Sequence, residues 1–411
     1  MPMVNFGVIL AMQKNKSTHP HPGIWGKTSR NDYWCLTALI AMVGLVLGSV
    51  LPLSALRLGS LEYSSTVIGI VIAVYAVGLI ISTPLCEPAV NRWGYRKTIQ
   101  IFGLLSVIGC FLLQTSNTAL ALGVGLLFFG IALGVVFNLV ETWVNELLPE
   151  AQRGHWLAIH CTVFTLFQLI GPLLVQILPK DYEFKICSLI LLLAWPACKR
   201  LNEYSSMAKT DEEDKTSWWK YLVSAPAIAC STALFALFDA VILSLLPVYG
   251  LAAGLSEAKA LLSVSVVLAG DTLLEWVIGF LADKFGRPIV HWSCAVVLLL
   301  SAPLLPLTLG TVLWWPLFFV IGGSAGGIYV MGMMASGQRF SGRRLLRMTA
   351  LLGAVWGVGS IVGPVMTGVL MDFNAQWSLP AVILVTTSVL LLSLGWEAYQ
   401  SNQASGDLAS V

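Results

Sequence analysis

Asp271 and Glu275 stand four residues apart inside an apolar run of the chain's second half. That spacing puts both carboxylates on one face of a helix. Two carboxylates so close in a medium of low dielectric repel each other when both are ionised. A carboxyl that takes up and releases a proton in such a place is what proton coupling requires. Asp239, in the preceding apolar run, is a third acid well inside its segment. No Lys or Arg lies at comparable depth, so the acids call for protons or a cationic substrate rather than a fixed ion pair. The plainer alternative gives each acid a structural hydrogen bond to a neighbouring helix.

The first half offers a second set. Asn138 and Glu141 are three residues apart, and His160 and Gln168 eight apart, so each pair shares a helix face. Histidine exchanges its proton near neutrality, but a single His among apolar residues reads first as a hydrogen-bonded packing residue. Glu141 reads equally as a ligand or as a gate residue paired with Arg153 or a basic loop. The eight Cys are scattered without metal-ligand spacing, so no metal and no cofactor is expected, and the Cys are read as small packing residues. There is no Walker-type phosphate loop to drive a pump and no Ser/His/Asp arrangement to make an enzyme.

The elements that position these groups are transmembrane helices. The chain is 57% apolar and 11% charged, where a soluble domain carries about 25% charged residues. With roughly 20 apolar residues per crossing, the spans read as 33–56, 65–86, 98–116, 119–147, 156–178 and 184–198, then 221–249, 258–282, 289–309, 312–336, 348–371 and 377–397. The polar stretch 199–220, with Asp211 to Asp214, reads as a linker between two six-helix halves, 33–198 and 221–397. Segments 1–32 and 398–411 read as cytoplasmic ends; no secretory signal is evident in the former. With the N-terminus inside, only Arg57, Lys180, Lys185 and Lys259 of the 23 Lys and Arg fall outside. By the positive-inside rule both termini are then cytoplasmic. Trp218, Trp219, Trp314 and Trp315 read as interface anchors, and Trp276 and Trp356 as deeper residues of a cavity or core.

The two halves read as copies. Gly279-Phe-Leu-Ala-Asp283-Lys284-Phe-Gly286-Arg287 matches Glu87-Pro-Ala-Val-Asn91-Arg92-Trp-Gly94-Tyr-Arg96 at an offset of 192, and the same offset relates Gly326 to Gly134, Gly322 to Gly130 and Pro364 to Pro172. Both prolines are expected to kink their helices. Internal duplication of apolar bundles is characteristic of secondary transporters.

Two six-helix halves, a charged central linker and a Gly-x-Leu-Ala-Asp-Lys-x-Gly-Arg loop after the second helix of a half resemble the major facilitator superfamily. The run Asn138-Leu-Val-Glu141-Thr-Trp143-Val-Asn145-Glu146, with Arg153-Gly154, is similar to the YcaD-like bacterial branch. The resemblance implies a loop that latches the halves together in the outward-facing state. Asp283 and Arg287 would carry that latch in the second copy. In the first copy Asn91 replaces the usual Asp, and Glu87 stands in for the leading Gly and supplies a charge four residues upstream. Gly359-x-x-x-Gly363-Pro364 resembles a signature that drug/proton antiporters carry in span five, where this chain keeps only Gly171-Pro172. The expectation is an all-α membrane protein, acting as a monomer in a bacterial inner membrane. It would move a small organic solute with protons by alternating access, export being favoured over uptake. The competing reading is an uncoupled facilitator or lipid-handling member of the fold with structural acids. A nucleic-acid partner is not expected.

Overall fold

The computed structural model describes residues 27–148, 152–194, 199–201, 223–340 and 342–409. The linker beyond 201, the first 26 residues, Trp218 and Trp219 lie outside the described residues. The helices are α1 (Lys27–Ser60), α2 (Ser65–Thr115), α3 (Ala119–Leu147), α4 (Arg153–Ile177), α5 (Glu183–Leu193), α6 (Pro226–Ser244), α7 (Leu246–Ala252), α8 (Glu257–Phe285), α9 (Arg287–Ser301), α10 (Leu305–Thr308), α11 (Trp314–Arg339) and α12 (Gly342–Ala409).

Among the described residues, nine helices are long and apolar enough to cross a membrane. Two of them exceed one crossing. At 1.5 Å per residue, α2 with its 51 residues is about 77 Å of helix and α12 with its 68 is about 100 Å, against about 30 Å of hydrocarbon. Each is broken inside, α2 at Gly94 and α12 at Asn374, where the backbone leaves helical dihedrals. By contrast, α4 and α12 run on through Pro172 and Pro364. The described part of the sixth expected span is the short α5, and the seventh breaks at Leu245 into α6 and α7.

The 192-residue offset reappears as geometry. Ser64 and Ser256 are N-caps with nearly equal dihedrals, accepting from the N–H groups of Val67 and Lys259. Gly94 and Gly286 end helices at φ +76° and +92°, a region that glycine enters without a Cβ clash. Gly130 lies against the carbonyl of Tyr75 and Gly322 against that of Val267; Gly78 lies against Leu127 and Gly270 against Phe319. Backbone therefore touches backbone along α2–α3 and along α8–α11, and a side chain at any of these four positions would push the helices apart.

Polar contacts join the halves toward the end where α2 and α8 begin. The Asp372 carboxylate accepts from the N–H of Ser65 (2.8 Å) and of Thr66 (3.0 Å). Lys180 lies 3.5 Å from Glu257. The Ser265 hydroxyl donates to the Leu169 carbonyl at 2.8 Å. Gly69 and Gly368 pack on the backbone of Pro364 and Ser65 across the same seam.

Candidate functional site

A cavity of about 710 Å³, counting its open mouth, lies between α1, α2 and α4 on one side and α6, α8 and α12 on the other. Asp239 and Asp271 both line it, and Gln168 reaches it from the first half. Tyr75, Phe164, Phe235 and Trp356 supply its aromatic wall. Phe235 is held by Tyr329 stacked at 5.0 Å and by Trp356 edge-on at 5.6 Å.

Glu275 lies on another side of the wall. It lines a smaller cavity with Cys161, Thr162 and Thr165 of α4 and Tyr329 of α11. Asp271 and Glu275 thus share a helix yet line different cavities. Two tryptophan readings are also corrected. Trp356 faces the central cavity, but Trp276 is 69% exposed on the outer surface of the bundle. Trp314 is buried, its indole N–H donating to Ser263 at 3.0 Å, so it is core rather than an interface anchor.

Asp271 is the most constrained of the acids. It is 4% exposed, and its Oδ1 has no hydrogen-bond partner among the described residues. That oxygen occupies the space where a Cβ on Gly326 would stand. Gly326 is therefore required by the carboxylate beside it. The equivalent Gly134 makes room for the Ser82 hydroxyl.

In the first half, Asn138 donates to Ser82 at 3.3 Å and lines a cavity that shares Leu47, Tyr75, Leu79 and Phe164 with the central one. Glu141 does not turn to Arg153. Its Oε1 lies 3.3 Å from Nε2 of His160, whose Nδ1 is 3.0 Å from the Thr37 hydroxyl. The Glu141–His160 approach is within ion-pair distance but off hydrogen-bond alignment. Arg153 instead donates to the Leu148 carbonyl at 3.4 Å. His160 is fully buried, as expected of a packing residue, and it ties α1, α3 and α4 together.

The two signature loops lie at the break inside α2 and at the C-terminal end of α8, away from the caps at Ser64 and Ser256. Glu87, Asn91, Arg92, Asp283 and Lys284 are exposed, and Gly279 faces open space. Arg92 and Lys284 lie over the rings of Trp93 and Phe285. Arg96 donates to the Lys199 carbonyl at 2.6 Å, holding the start of the linker. Among the described residues, Glu87, Asp283 and Arg287 make no ion pair. No cluster of three or more His, Cys, Asp and Glu among the described residues could hold a metal ion.

Sequence reasoning missed two acids that organise helix ends. Asp372 caps the start of α2 across the seam. Glu397 accepts from the Ala227 N–H at 3.0 Å and pairs with Arg339 at 3.2 Å, tying α6, α11 and α12. Both stand near span ends, where a carboxylate reads as solvated. The available signal was the offset itself: 192 residues before Asp372 is Lys180, and 192 after Ser65 is Glu257.

The Major Facilitator Superfamily model matches residues 33–338. The chain is 24% identical to the uncharacterized MFS-type transporter YfkF of Bacillus subtilis, over 89% of this chain and 95% of that one. It is 24% identical to the uncharacterized MFS-type transporter YcaD of Escherichia coli, over 86% and 91%. Among solved structures it is similar to the nucleoside transporter NupG (TM-score 0.65, 12% identity, 90% and 98% coverage). It is also similar to a bacterial homolog of the human lysosomal transporter Spinster in its inward-facing, unoccupied conformation (TM-score 0.66, 14% identity, 90% and 96% coverage). With a family model covering most of its length and the same fold in solved transporters, the chain, an integral multi-pass membrane protein, belongs to the major facilitator superfamily.

Proposed function

We propose that the chain is a secondary active transporter that moves a small organic solute by alternating access, coupled to protons, with export as its working direction. The observation that carries this reading is Asp271: a buried carboxylate at mid-helix, lining a cavity between the halves, with one oxygen unpartnered. A structural acid in a medium of low dielectric would be hydrogen-bonded. An oxygen left without a partner suits a group that exchanges a proton or receives a ligand during a cycle. This argues against the facilitator reading with structural acids.

The proposal takes the protein as twelve spans in two halves, 33–198 and 221–397, joined by the linker 199–220. The paired glycine contacts, the paired N-caps and the two double-length helices support it. It further assigns the chain to the YcaD-like branch, working as a monomer in a bacterial inner membrane with both termini cytoplasmic. In that orientation the contacts of Asp372, Lys180 and Ser265 close the outer end and the conformation is inward-facing. The loops around Asn91 and Asp283 are then the inner latch in its released state, which agrees with Asp283 and Glu87 standing exposed.

The test is purified protein in liposomes with an internal pH dye, offered pools of cationic, neutral and anionic solutes. A solute-dependent pH change lost in Asp271→Asn supports coupled transport. Tracer flux with no pH change, kept in Asp271→Asn, sinks the coupling and returns the acids to a structural role.

A further inference from the structure

We infer that the solute taken by the central cavity is an aromatic or lipophilic organic cation. This deepens the transporter reading and rests on it. Among the described residues, the charged side chains lining the cavity are Asp239 and Asp271, with no Lys, Arg or His beside them. Two carboxylates and no counter-charge make a site that attracts a cation and repels an anion. Asp271 adds an independent sign of a ligand, since it is 4% exposed and its Oδ1 has no partner. That oxygen lies against Gly326, where any larger residue would displace it.

The rest of the wall agrees. Tyr75, Phe235 and Trp356 present ring surfaces to the same space, and ring faces attract cations while burying apolar surface. Gln168 adds one neutral polar group opposite. A carboxylate or phosphate site would need a basic group, and this wall has none among its described residues.

Three probes of one shape and different charge decide the matter: tetraphenylphosphonium, tetraphenylsilane and tetraphenylborate. Equilibrium binding of labelled tetraphenylphosphonium is measured on the purified full chain, and binding of each of the other two, labelled, in separate samples, because the phosphonium and the borate precipitate as a salt when mixed. The expected result is saturable binding of the phosphonium and of neither other probe, weakened about tenfold or more in Asp239→Asn and in Asp271→Asn. Gln168→Lys, which puts a fixed cation into the cavity, should abolish it. Size-exclusion and thermal-unfolding profiles establish which variants are folded. If Asp271→Asn does not fold, Asp239→Asn and Gln168→Lys decide. Saturable binding of the silane or the borate to the native chain, phosphonium binding indifferent to the folded variants, or no saturable phosphonium binding to the native chain overturns the inference. Binding needs no flux, so the two readings fail separately. Flux of anionic or neutral solutes without phosphonium binding removes the cation class and leaves a transporter. Phosphonium binding as described, with no flux of any solute, keeps the cation site and removes the transporter reading.

Discussion

Replacing Asp372 should open the end of the protein where α2 and α8 begin. Its two carboxylate oxygens accept from the first free N–H groups of α2, at 2.8 and 3.0 Å, from the opposite half of the molecule. The start of a helix carries unsatisfied donors and a partial positive charge, which a carboxylate stabilises. Buried charge-assisted bonds contribute about 1.5–3 kcal/mol each. Asp372 is exposed, so the value for a helix cap, about 0.5–2 kcal/mol in all, is the appropriate one. Because the contact spans the seam, its loss falls on the balance between closed and open forms of that end. That balance should move by about 2- to 30-fold in Asp372→Ala, and by less in Asp372→Asn, which keeps one acceptor. The assay is pulsed electron resonance on a chain whose native cysteines have been replaced, with spin labels at Leu120→Cys and Val312→Cys. Both sites are exposed at the same end, one in each half. The expected change is growth of the longer distance in Asp372→Ala. Removing Lys180, whose pair with Glu257 is largely solvated, should change little, since exposed pairs contribute about 0–1 kcal/mol. Identical distance distributions in the native chain and Asp372→Ala would refute the reasoning.

Four further outcomes are expected. Gly326→Ala should keep the fold but displace the Asp271 carboxylate, so thermal unfolding in detergent changes modestly while solute-dependent proton movement is lost. Gly322→Ala instead meets the Val267 carbonyl, part of a helix backbone that cannot step aside; it should lower the unfolding temperature more than Gly326→Ala does, as overpacking by about 1–3 kcal/mol requires. His160→Ala removes the hydrogen bond to Thr37 and the close approach to Glu141, and should cost about 1–3 kcal/mol, read in the same melt. Trp276→Ala, on the outer face, should leave solute binding unchanged where Trp356→Ala weakens it, a contrast that binding measurements resolve.

Much of the fold was legible because glycine leaves a geometric trace. Gly94 and Gly286 were readable as equivalent from spacing alone, and both take the positive φ that ends a helix. Gly130 and Gly322 were readable as a pair, and each lets a carbonyl of the neighbouring helix approach. Orientation around a helix axis was not legible. Lipid and protein core are both apolar, so the pattern that marks the buried face of a soluble helix is weak here. Trp276 and Trp314 were misread for that reason. The cavity acids were legible as costly charges, but the division of Asp271 from Glu275 depends on how α4 and α11 pack beside α8. The partner of Glu141 likewise depends on packing, because His160 comes from a different helix.

The two closures at the seam are related by the same 192 residues yet differ in kind. One sets a carboxylate on backbone N–H groups at 2.8 and 3.0 Å; the other sets a solvated lysine 3.5 Å from a solvated glutamate. Dissolved ions weaken the second far more than the first, because exposed charges are screened over about 8 Å at physiological ionic strength while short hydrogen bonds are not. Rising salinity at that end would therefore loosen the Lys180 side first and leave the Asp372 side holding the seam.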